Sequence, residues 1–118
     1  MNIKDFDKIT YDVNRGVALV RLNNPDRRNA WGGRMSVEYR WALYHAHTDD
    51  SARVVVVTGV GDDFCVGADT SELSSIESAG GAYQKAQLEL PPYPEATPEA
   101  FRRNHAYPWC INKPVIAA

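Results

Sequence analysis

Cysteine is nearly absent from this sequence. Only Cys65 and Cys110 occur among 118 residues, in no Cys-x-x-Cys pair, and the three histidines form no cluster. Neither a disulfide framework nor a zinc site is indicated, so no metal is expected. An excess of one charge is also missing. Thirteen Lys and Arg stand against fifteen Asp and Glu, and a pI near 5.9 leaves no basic stripe of the kind nucleic-acid binders need. No apolar run approaches the roughly 20 residues of a membrane-spanning helix, and Met1-Asn2-Ile3-Lys4-Asp5 leads into polar sequence instead of the apolar core of a signal peptide. A cytoplasmic protein with neither nucleic acid nor membrane as partner is expected.

What is present centres on Arg53 to Leu73, RVVVVTGVGDDFCVGADTSEL. Four consecutive valines, Val54 to Val57, read as a strand covered on both faces, with Thr58-Gly59-Val60-Gly61 leaving it. Asp69 has the character of an N-cap, and Glu72 three residues on completes a capping-box pattern. The amide of Ala68 then lies just outside the helix, at its positive end, where an N–H can stabilise negative charge on a ligand. The same residues also fit a plain strand-to-helix turn. Thr58-Gly59-Val60-Gly61 is a weak dinucleotide-binding fingerprint, because Phe64 occupies the place of its third glycine.

The remaining sequence divides by its apolar spacing. Ile9 to Asn14 and Val17 to Asn23 read as an antiparallel hairpin turning at Arg15-Gly16. From Gly33 to about His47, Met35, Tyr39, Ala42, Leu43 and Ala46 recur at helical spacing and predict a helix packed on the sheet. Val37, Trp41 and Tyr44 form a second apolar face that a solitary domain would leave in water; it fits a contact with another subunit, plain surface exposure, or cover of Trp41 by a C-terminal half. Ser74 to Pro98 holds Gly80-Gly81 and four of the seven prolines and predicts a mobile loop or broken helix. Thr97-Pro98-Glu99 resembles a helix start, predicting a helix to about Asn112 that is kinked at Pro108, and Lys113-Pro114 opens a last strand.

Several segments in this order are similar to the N-terminal half of the crotonase superfamily, the enoyl-CoA hydratases and isomerases. They are Gly16 to Pro25, Arg28-Asn29-Ala30, Val54 to Gly59, Phe64-Cys65-Val66-Gly67-Ala68-Asp69, and Lys113 to Ala118. The resemblance implies an α/β fold, the crotonase (ClpP-like) spiral of ββα units, incomplete here, with residues 1–118 as the N-terminal part of the domain and 74–98 as a loop near the acyl pocket. That loop is longer and richer in proline than in the shortest family members. The implied substrate is an acyl-CoA thioester, with coenzyme A as part of the substrate and no separate cofactor. The implied assembly is a homo-oligomer, a trimer or a dimer of trimers.

By motif position the resemblance gives Ala68 one backbone N–H of an oxyanion hole, the second donor lying beyond Ala118. Val66, Gly67, Ala68, Asp69 and Thr70 match a segment that holds coenzyme A, and Arg27 and Arg28 fall where basic side chains face its phosphates, a role suited to guanidinium. The two glutamates that activate water in the hydratases are implied to lie outside this chain, so no acid or base is assigned. Glu72, Asp62, Asp63, His45, His47 and His105 read as cap, turn and helix-surface residues, and Cys65 as a small apolar side chain. Enoyl-CoA hydration is the leading activity, with enoyl-CoA isomerisation or another reaction of the superfamily beside it. A truncated, non-catalytic fragment that binds CoA esters or partner chains is the alternative of a different class.

Overall fold

The computed structural model describes residues 1–72, 88–103 and 105–118. Four strands, β1 (Ile9–Asn14), β2 (Val17–Leu22), β3 (Val54–Gly59) and β4 (Val115–Ala117), form one sheet in the order β1-β2-β3-β4, with helix α1 (Gly33–Thr48) between β2 and β3. The β1–β2 hairpin is antiparallel; β2–β3 and β3–β4 pair in parallel. The hairpin turns at Arg15 and Gly16, whose φ of 50° and 82° are the left-handed pair that a two-residue turn between twisted strands requires. The mixed α/β class expected from the sequence is the class found.

The core lies between one face of the sheet and α1. Ala18, Val20 and Leu22 of β2 and Val55 and Val57 of β3 point to that face, where Met35, Ala42, Leu43 and Ala46 of α1 meet them. Tyr39 of the expected stripe is half-buried. Val54 and Val56 are half-buried as well, so β3 is not covered equally on both faces: the second face carries no helix among the described residues. At the far end of α1, Lys113 Nζ donates to the carbonyl oxygens of Ala46 and Asp49, at 2.5 and 2.6 Å. It thereby satisfies carbonyls that the helix leaves open and sets a cation at the negative end of its dipole.

Three expectations are corrected. The helix expected from Thr97 to Asn112 is replaced by two short 3-10 turns, Glu99–Phe101 and Tyr107–Trp109. Pro108 supplies no N–H and disfavours helical backbone at Tyr107, and Arg102 leaves the helical region at φ −74°, ψ 59°. Pro98, not Thr97, precedes the first turn, and it offers no capping side chain. The second face of α1 is not left in water. Val37 is buried, while Trp41 stacks edge-on against Tyr44 and its indole N–H donates to the Glu89 carbonyl at 2.8 Å. Finally, Glu72 does not close a capping box on its own helix. Its Oε2 accepts the Gly33 N–H at 2.7 Å and caps α1 instead, while the Asp69 N–H is taken by Trp31 O. The 74–98 segment falls largely outside the described residues, although its end, 88–98, is irregular chain packed near α1.

Candidate functional site

Two segments meet beyond the end of β3, residues 24–31 and 60–69. Asn29 joins them. Fully buried, with φ of 54° beside Arg28 at 52°, its side chain accepts the Asn24 N–H at 2.9 Å and donates to the carbonyls of Val60 and Asp63 at 3.0 and 2.7 Å. Asparagine tolerates the left-handed region well and here satisfies three backbone groups at once. Gly59 allows the loop to double back, because a Cβ there would stand 2.2 Å from Asp63 O.

The next contact fixes the Ala68 amide. Trp31 donates its N–H to Gly67 O at 2.7 Å and accepts the Asp69 N–H at 2.9 Å, a parallel bridge pairing Trp31 with Ala68. In such a bridge the paired residue's own N–H points away from the partner strand. The Ala68 N–H accordingly donates to no acceptor among the described residues, and Ala68 is exposed. Gly67 makes the geometry possible with φ of 108°, a value that L side chains rarely adopt. Residues 70–72 are helical, so the free amide stands beside a helix start. Asp69 Oδ1 accepts the Ser71 N–H at 2.9 Å and the Ser71 hydroxyl at 2.6 Å, as an N-cap does.

The expected basic pair is present but already engaged. Arg27 forks onto the Asp69 carboxylate at 3.0 and 2.8 Å, and Arg28 forks onto Asp63 at 3.0 Å for both bonds. The Ser71 hydroxyl, followed by the Arg27 guanidinium, holds the Asp69 carboxyl at about 2 against an ordinary value of 3.8. Arg28 likewise lowers Asp63. The Arg28 side chain is 69% exposed, and a guanidinium that uses two N–H groups on a carboxylate keeps others for a second anion. Val66 projects outward beside it, 48% exposed.

Adjoining this segment is a cleft of about 290 Å³. Leu22, Trp31, Tyr39, Val57, Phe64, Cys65 and Tyr107 give it mostly apolar walls, and Arg40 and His105 also line it. Trp31 therefore belongs both to the bridge that fixes Ala68 and to the cleft. Burial pushes the Tyr39 phenol up to about 12 and raises that of Tyr107, so both stay protonated at neutral pH. Tyr107 is fully buried and donates its hydroxyl to Pro92 O at 2.8 Å. His105 stands at the cleft between the two 3-10 turns, not on a helix surface as expected. Cys65 packs as a small side chain against the core, as expected. Among the described residues no three His, Cys, Asp or Glu side chains converge as metal ligands, and no helix is long and apolar enough to cross a membrane.

The sequence reading did not anticipate Asn29, Glu38 or Arg40 in the roles they hold. Arg34 and Glu38, four residues apart on a helix, were a legible pair. For Arg40 the only signal was its place on the second apolar face, between Val37 and Tyr44.

Comparison with known proteins gives concordant results. The family profile described as Enoyl-CoA hydratase/isomerase matches residues 12–92. A probable enoyl-CoA hydratase of Mycobacterium tuberculosis, EchA14, is 44% identical over 70 residues, which are 59% of this chain and 27% of that protein. The 4-chlorobenzoyl coenzyme A dehalogenase-1 of an Arthrobacter species is 37% identical over 65 residues, 55% of this chain and 24% of its own length. The crystal structure of an enoyl-CoA hydratase/isomerase from Mycobacterium paratuberculosis superposes with a TM-score of 0.60 at 34% identity, covering 95% of this chain and 36% of that one. The matched region is thus about a quarter of the curated relatives' length.

Proposed function

The chain belongs to the enoyl-CoA hydratase/isomerase family, and we propose that its site binds an acyl-CoA thioester and polarises the thioester oxygen through the Ala68 N–H. The observation that carries this reading is the unpartnered amide, held beside a helix start by the Trp31–Ala68 bridge. A fixed N–H aimed where charge develops needs no reorganisation during reaction, and loss of one such donor typically costs about 3 to 4 kcal/mol. The adenosine and phosphates of coenzyme A would lie along Val66, Gly67, Ala68, Asp69 and Thr70, with Arg28 contacting phosphate through its remaining N–H groups. Arg27 would contribute mainly by holding Asp69 in place. Coenzyme A enters as part of the substrate, and no separate cofactor is proposed.

The reaction proposed is hydration of a 2-enoyl-CoA. Water gives up a proton as its oxygen bonds to C3, the C2–C3 π electrons move towards the thioester oxygen, and as the carbonyl re-forms a proton adds to C2. One donor to that oxygen is assigned. Among the described residues no Asp or Glu lines the cleft, so no acid or base is assigned. Isomerisation of an enoyl-CoA uses the same charge stabilisation. A second reading is a chain that binds CoA esters without turning them over.

Crotonyl-CoA separates these readings. Saturable binding by calorimetry with hydration to the 3-hydroxy ester supports the enzyme, binding without product supports the second reading, and no binding contradicts both. A cytoplasmic setting and a homo-oligomer, a trimer or a dimer of trimers, complete the proposal. Trp41→Ala should shift the sedimentation profile if α1 contributes to the contact between subunits; an unchanged profile would count against that contact.

A further inference from the structure

Arg40 is a buried cation without an anion among the described residues. It is 5% exposed, yet among the described residues no carboxylate lies within ion-pair distance. Five other arginines, Arg21, Arg27, Arg28, Arg34 and Arg102, each have a carboxylate partner, and their side chains are 36–69% exposed. The pairing is therefore inverted: the arginine that most needs a counter-charge lacks one. Nη2 donates to the Tyr93 hydroxyl at 2.9 Å, and the guanidinium carbon lies 5.7 and 5.3 Å from the ring centroids of Tyr93 and Tyr107. These partners are neutral. The Nε atom is buried and meets no acceptor.

A buried charge compensated only by rings and one phenol oxygen is costly unless an anion completes it. Arg40 also lines the cleft that Trp31 shares with the Ala68 bridge. We propose that the cleft takes an acyl chain ending in a second carboxylate, which Arg40 pairs with, so that the preferred ligand is the CoA thioester of a dicarboxylic acid. The inference rests on the acyl-CoA reading above and names its substrate class. An apolar wall beside a single planar cation suits a short methylene chain with an anionic end, and guanidinium binds carboxylate in a two-bond fork.

The test compares glutaryl-CoA with pentanoyl-CoA, which match in chain length and differ in the terminal carboxylate, by calorimetric titration of the chain at neutral pH. The expected result is a tenfold to hundredfold preference for glutaryl-CoA, the range of about one charge-assisted contact. Arg40→Met should abolish that preference while retaining pentanoyl-CoA binding, and Arg40→Lys, which keeps the charge without the fork, should retain part of it. Circular dichroism establishes that each variant is folded. If Arg40→Met does not fold, Arg40→Lys and the wild-type comparison still decide. Equal affinity for the two esters in the wild type, or a preference unchanged in both variants, overturns the dicarboxylate inference and leaves acyl-CoA binding intact. Failure of both esters to bind rejects the acyl-CoA reading, and the inference with it.

Discussion

Glu38 holds a carboxylate where no solvent reaches. Its two oxygens accept the N–H groups of Asp7, at 3.0 and 3.1 Å, of Lys8 at 2.7 Å and of Ile9 at 3.0 Å, and Arg34 supplies the counter-charge. The chain entering β1 is thereby fastened to α1 through three backbone donors. Glu38→Gln replaces one acceptor oxygen by an amide that can only donate, and it removes the charge Arg34 needs. A loss of about 2 to 4 kcal/mol is expected, read as a lower urea midpoint. Asp69 gives a second prediction, on pH. Its carboxyl titrates at about 2 in the fold and near 3.8 unfolded, so on acidification the unfolded chain takes up its proton first. The contribution is complete above about pH 4 and is lost as the pH falls towards 2. Asp69→Asn should therefore flatten the stability profile in that window, measured by urea unfolding at successive pH values; an unaltered slope would contradict the assignment.

Among the elements, the strands and α1 follow from simple periodicity. Ala18, Val20 and Leu22 alternate along β2, and Met35, Ala42, Leu43 and Ala46 repeat along α1, so both the faces and the boundaries were legible in the sequence. Periodicity identifies a face but not what covers it. Glu89, whose carbonyl takes the Trp41 indole N–H, was not legible as a neighbour of the second face of α1 because it comes from a segment with no apolar repeat of its own. The same limit hid Arg40, whose ring partners come from 53 and 67 positions onward, Tyr93 from irregular chain and Tyr107 from a short 3-10 turn. The region from Pro98 to Trp109 looked helical because its start signal was sound locally, yet Pro108 and the burial of Tyr107 impose two separate turns. The Ala68 position was legible from its place before a cap. Its freedom from any partner depends on the bridge to Trp31, a contact across 37 positions that no local pattern announces. At the end of β3, Gly59→Ala forces a methyl group against the Asp63 and Phe64 carbonyls, at 2.2 and 2.7 Å. Because those neighbours are backbone, the loop carrying the site must move; a cost of about 1 to 3 kcal/mol is expected in thermal unfolding.

For the molecule as a whole, one sheet face is sealed by α1 and the other is half open, while the site stands where β3 delivers its loop against residues 24–31. The proposed function draws on three parts of the chain: the free Ala68 amide, the outward Arg28 and Val66, and the cleft with Arg40. In the proposed function this amide receives the thioester oxygen. That contact is tested most directly by assigning the amide resonances of the 15N-labelled chain and titrating with butyryl-CoA, using coenzyme A alone as the reference. The Ala68 amide proton is expected to move downfield on saturation with the ester and much less with coenzyme A, because only the ester brings a carbonyl acceptor to it. An Ala68 resonance that stays in place while butyryl-CoA saturates the chain would contradict the account.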